Sequence, residues 1–144
     1  MAIEFLNRSG LAYPEEKLIS LLAFGISELD LSPECDLNVL LVDEAEMSEL
    51  HMKWMNEPGP TDVLSFPMDE LEPHSKEVGI LGDIVLCPAI ALLQAEDAGH
   101  EFDDELSILS VHGHLHIVGY DHATAEDEKA MFTLQASIID RWKK

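Results

Sequence analysis

Cations are scarce in this chain. Eight Lys and Arg stand against 29 Asp and Glu in 144 residues, a formal net charge of −21. Such a surface repels nucleic acid at long range, and eight cations cannot build a broad basic groove. Cysteine is scarce as well. Cys35 and Cys87, without CxxC spacing, exclude a disulfide framework and read as buried thiols. Long apolar runs are missing: the longest, Leu18 to Ile26, falls far short of the roughly 18 residues that suggest a membrane span. The N-terminal MAIEFLNRSG lacks the basic region and apolar run of a signal peptide. These absences lead us to expect a soluble cytosolic protein with no membrane partner.

What is present is core-forming material. Apolar residues make up 47% of the chain, and the length favours a single domain over residues 1–144. No repeat or low-complexity linker interrupts it. Ile3 and Phe5 alternate with Glu4 in a first strand, Met1 to Asn7. Pro14 suits the first turn of a helix whose stripe is Leu18, Leu21, Leu22 and Leu29. Leu37 to Val42 reads as a buried strand, Glu44 to Met55 as a helix, and NEPGP (Asn56 to Pro60) as a loop. TDVLSFP is a third strand closed by Pro67. Met68 to Lys76 is a polar surface loop, and Val78 to Cys87 a fourth strand broken by Gly79 and Gly82. A helix begins at Pro88. Another, Phe102 to Val118, is apolar nearly all round and so belongs in the middle of the fold. Thr124 and Asp127 cap a last helix with Met131, Leu134 and Ile138 on one face. The order β-α-β-α-β-β-α-α-α implies an α+β domain: a mixed four-stranded sheet, mostly parallel with one antiparallel strand, packed with about five helices.

One stretch stands out. VHGHLHIVGYDH, Val111 to His122, holds four of the seven histidines among mostly apolar neighbours. His112 and His116 are four apart on the central helix, so their rings share one face about 6 Å apart along the axis. On a continuing helix His122 would point away. Gly119 lets the helix stop and the chain double back, which brings His122 to the same point. Three imidazoles with an open position are the composition of a catalytic zinc site. His114 points to the far side of the helix and takes a structural role at the sheet interface. His51, His74 and His100 are read as surface residues. The spacing equals that of the metzincin proteases, HExxHxxGxxH, but Gly113 stands where they carry the Glu base. The metal geometry is kept and the proteolytic base is gone.

The segment HGHLHIVGYDH resembles the signature of the YbeY family of bacterial rRNA-maturation endoribonucleases. PTDVLSFP (Pro60 to Pro67) and GDIVLC (Gly82 to Cys87) resemble two further hallmark blocks of that family, in the same order. The resemblance implies a zinc-dependent, single-strand-specific RNase that matures the 3′ end of 16S rRNA and checks ribosomes. By position His112, His116 and His122 take the zinc-ligand roles, one Zn²⁺ per chain. The family commonly has an arginine six residues before the Thr of the TDVLSF block, and this chain has Met55 there. Lys53, two residues away, is the nearest cation that can stand in, but on a helix its side chain points elsewhere, and lysine does not simply replace a bidentate arginine. Ser65 is a candidate contact to the substrate backbone. With Gly113 unable to take a proton, Asp121 is the nearest acid, either as base or in orienting a ligand ring. Asp83 and Glu77 are further candidates, and Thr61 with Asp62 can cap the loop after NEPGP.

A dication on three neutral rings is a concentrated positive spot in an acidic molecule. The expected partners are therefore single-stranded RNA (the 16S rRNA precursor) met locally, and the small ribosomal subunit with its assembly factors, which deliver the strand. DNA is not expected. Two other readings compete: a metallohydrolase of peptidase type, opposed by Gly113, and a non-catalytic, metal-stabilised ribosome-assembly adaptor, favoured by the missing arginine.

Overall fold

The computed structural model describes residues 2–13 and 15–144; the strand start read at Met1 and the helix start read at Pro14 lie outside them. Nine elements follow in the expected order: β1 (Ala2–Asn7), α1 (Glu15–Glu28), β2 (Asp36–Leu41), α2 (Glu44–Met55), β3 (Val63–Pro67), β4 (Ile80–Leu86), α3 (Pro88–Ala98), α4 (Phe102–Ile117) and α5 (Ala125–Lys143). The strands form one sheet in the order β1-β2-β4-β3. β1 and β4 run parallel to β2, while β3 runs antiparallel to β4, pairing Val63 with Leu86 and Pro67 with Gly82. A connection without a crossover helix permits only the antiparallel arrangement.

Period-two alternation divides the sheet into two faces. On one, Leu37, Val39, Leu41 and Ile84 join Leu21, Leu22, Leu106, Leu115 and Met131 in the main core under α1, α4 and α5. On the other, Leu64 and Val85 meet Met47 of α2, with Leu40, Leu50 and Phe66 packed alongside. The expected surface loop after Pro67 is anchored more firmly than its polarity implies: Leu71 is buried in the main core, and His74 donates its backbone N–H to Leu29 O at 2.9 Å.

Helix α4 fits against the sheet because Gly113 has no side chain. A Cβ there would lie 3.0 Å from Ile84 Cγ2, 3.1 Å from Ser65 Oγ and 3.2 Å from Val63 Cγ2. Ser65 adds a direct tie, its hydroxyl donating to Gly113 O at 2.9 Å. This close approach gives a steric reason why no glutamate follows His112. His114, next along, does not face the sheet as expected. It turns to the opposite side of α4, against Gly25 of α1, where a Cβ would come within 3.1 Å of its ring. It is 1% exposed, and its Nε2 is buried without a hydrogen-bond partner among the described residues. Burial disfavours the imidazolium and pushes its pKa down to about 4.

Two outcomes follow for stability. Gly82 has φ +148°, and a Cβ on it would sit 2.2 Å from Phe66 O. Gly82→Ala therefore forces β3 and β4 apart and is expected to cost about 3 kcal/mol or more in a denaturant melt. For His114, the unfolded chain binds its proton near pH 6.5 and the folded chain only near 4. Stability is thus highest above pH 6.5 and falls as the pH drops from there towards 4, by up to about 3 kcal/mol. Urea titrations across that window should show this slope, and His114→Leu should flatten it.

Candidate metal centre

The C-terminus of α4 places the site. His112 and His116 project from one face of the helix, which ends at Ile117. Gly119 then takes φ +102°, and Tyr120 N–H closes back on Leu115 O at 3.0 Å while Gly119 N–H meets His116 O at 3.1 Å. The chain reverses and brings His122 alongside. Ring centroids of His112 and His122 are 5.7 Å apart, and those of His116 and His122 are 5.2 Å apart. Each of the three can offer a nitrogen lying within 4.8 Å of the others'. They could therefore share one metal ion.

Hydrogen bonds decide which nitrogens are offered. His112 Nδ1 donates to Gln135 Oε1 at 2.9 Å, and His116 Nδ1 donates to the carbonyl of Tyr120 at 2.9 Å. With a proton on each Nδ1, the neutral rings carry lone pairs on Nε2, and these two atoms face each other at 3.1 Å. Two lone pairs so close repel unless a cation lies between them. The donor set thus fits a metal that prefers imidazole nitrogen. Burial of the rings, first, and the neighbouring histidines hold the pKa values of His112 and His116 below the ordinary value. The neutral, ligating form accordingly persists to pH below 6.5.

Residues Met55, Asp62, Val63, Leu64, Ser65 and Pro67 join the three histidines around a cleft of about 440 Å³. The sequence candidates sort as follows. Ser65 lines the cleft, but its hydroxyl proton is committed to Gly113 O. Lys53 does not line it: this exposed residue of α2 holds its ammonium 5.2 Å from the Trp54 ring centroid, and Met55 forms the wall instead. Asp121 accepts the backbone N–H of His122 at 2.7 Å and so fixes the turn, while the Nδ1 atoms of His112 and His116 are held by Gln135 and the Tyr120 carbonyl. Asp83 accepts from Asn38 Nδ2 at 2.9 Å on the α2 side of the sheet, and exposed Glu77 lies in the loop before β4. The acid that reaches the cleft is Asp62, whose carboxylate also accepts from Val63 N–H at 2.7 Å and Gln94 Nε2 at 3.2 Å. His51, expected at the surface, is only 14% exposed. Its Nδ1 donates to Gly59 O at 2.9 Å and its Nε2 meets Glu57 at 3.3 Å, so it ties down the NEPGP loop that leads to Asp62. His74 and His100 are exposed as expected.

Two residues of α5 escaped the sequence reading. Phe132 stacks on His112 and His122, with centroids 5.7 Å and 6.4 Å away. Gln135 holds His112. A signal for Gln135 existed: it completes the i, i+3, i+4, i+7 stripe of Met131, Leu134 and Ile138, where a buried amide needs a polar partner.

Comparison with known proteins completes the picture. Residues 12–143 match the family described as Endoribonuclease YbeY. The chain belongs to the YbeY family. A protein of Rhodococcus opacus named Endoribonuclease YbeY is 55% identical, with 99% of this chain and 82% of that protein aligned. One of Thermobifida fusca with the same name is 49% identical over 100% of this chain and 96% of its own length. A Thermotoga maritima protein solved in solution superposes with a TM-score of 0.69 at 30% identity, covering 97% of this chain and 88% of that one.

Removing the Gln135 acceptor releases the His112 ring. Gln135→Leu is expected to weaken metal binding at the three histidines about ten- to a hundred-fold in a competition titration, with the melting temperature of the metal-free chain little changed.

Proposed function

We propose that this chain is a metal-dependent endoribonuclease that cuts single-stranded RNA, with one Zn²⁺ held by His112, His116 and His122. The observation that carries the proposal is the face-to-face pair of Nε2 atoms at 3.1 Å on the floor of a cleft, in a chain of the YbeY family. Zinc bound there supplies a Lewis acid for a phosphoryl oxygen and lowers the pKa of a bound water.

The chain's own residues make that chemistry local. Gln135 and the Tyr120 carbonyl keep the Nδ1 protons in place, so Nε2 of His112 and His116 face the cleft. Phe132 lies nearly parallel to the rings of His112 and His122 and helps to set their orientation. Asp62 places a negative charge at the cleft wall, which favours a cation at the histidines. Gly113 leaves no carboxylate beside His112, which removes the peptidase reading at its base. The biological substrate in this reading is the 3′ end of precursor 16S rRNA, presented by the small ribosomal subunit and its assembly factors in the cytoplasm. No described helix is long and apolar enough to cross a membrane.

Purified protein incubated with labelled single-stranded RNA should cut it, lose the activity with chelator and regain it with zinc. His116→Ala should bind less than one tenth as much zinc and lose cleavage by at least a hundred-fold. Equal cleavage with and without metal, or cleavage of casein in place of RNA, would overturn the proposal.

A further inference from the structure

A second groove, of about 610 Å³, opens beside the metal cleft on the α2 side of the sheet. Trp54, Leu50 and Phe66 line it, and it shares Met55, Ser65 and Pro67 with the cleft. The two hollows thus meet along one ridge. Trp54 is 58% exposed and Met55 48%, a large apolar area to leave in water. Trp54 meets Phe66 edge to face, with centroids 5.9 Å apart. Lys53 stands over the same ring. Arg8 lines the groove and is engaged by Glu46, which lines it with Asp83.

We propose that this groove is a base-stacking subsite: the indole of Trp54 receives a nucleobase of the single strand whose phosphodiester lies at the three histidines. The inference rests on the endoribonuclease reading and adds to it where the chain gets its hold on RNA. A molecule of charge −21 gains little from phosphate contacts, and the position beside Trp54 is Met55, which offers no clamp. Stacking on an aromatic face requires no net positive charge and tolerates any base, because every base has a π-face. Continuity with the cleft sets the occupant: a strand that reaches the histidines past Met55 and Pro67 passes the indole.

Two measurements test this separately from the nuclease reading. In metal-loaded Trp142→Phe protein, Trp54 is the remaining tryptophan, and its emission is titrated with 2′-O-methyl oligouridylate and with an abasic oligomer of equal length. Quenching by the first and not by the second is expected. In the otherwise native chain, Trp54→Ala should raise KM for an oligoribonucleotide about five- to a hundred-fold, with kcat and zinc content little changed, and Trp54→Phe should restore most of the affinity. Equal quenching by both oligomers, or an unchanged KM in Trp54→Ala, would overturn the subsite. So would a Trp54→Ala chain that handles RNA normally but no longer associates with small ribosomal subunits, since the groove would then be a protein dock. Quenching without any RNA cleavage by the native chain would leave the subsite standing and sink the nuclease reading instead.

Discussion

Two imidazole lone pairs are forced to look at each other. Everything distinctive about this fold serves that arrangement. The Tyr120 carbonyl and the Gln135 amide hold the outer nitrogens of His116 and His112 at 2.9 Å each, and the inner nitrogens close to 3.1 Å. In a metal-free protein this is electrostatic frustration; with a cation between the rings it is a ligand set. The constraint reaches outward: the glycine reversal places Tyr120, and the pitch of α5 places Gln135 and Phe132.

The same constraint explains why the helix is buried and why it carries glycine at its centre. A site made of neutral rings needs its histidines unprotonated, and burial lowers the pKa of His112 and His116. Burial in turn needs the helix backbone pressed onto β3 and β4. Gly113 permits this, and Ser65 fastens it through the Gly113 carbonyl. His114, on the opposite side, packs on Gly25 with its Nε2 unpartnered. A ring buried in this way destabilises the fold in acid. It also fills the space between α1 and α4, the helix that carries two of the three converging histidines.

Much of this was legible in the residues. Period-two and helical patterns pointed to all nine elements, and the short connection from β3 to β4, with no crossover helix, pointed to the antiparallel strand. The convergence of His112, His116 and His122 followed from helix pitch plus one glycine. What the sequence could not disclose was side-chain aim. Asp121 lies beside His122 in the chain, yet it bonds the backbone of the turn; Asp62 is fifty positions before His112, yet it reaches the cleft. His51 looked isolated until the NEPGP loop folded onto both its nitrogens. Such contacts join distant segments, and no local spacing encodes them.

The central claim is most directly tested by nitrogen-detected NMR of the histidine side chains, recorded with and without one equivalent of zinc. Nδ1 of His112 and His116 should remain protonated in both spectra, while their Nε2 resonances should shift on saturation at one zinc per chain. Zinc binding through Nδ1, or Nε2 resonances that ignore the metal, would contradict the account.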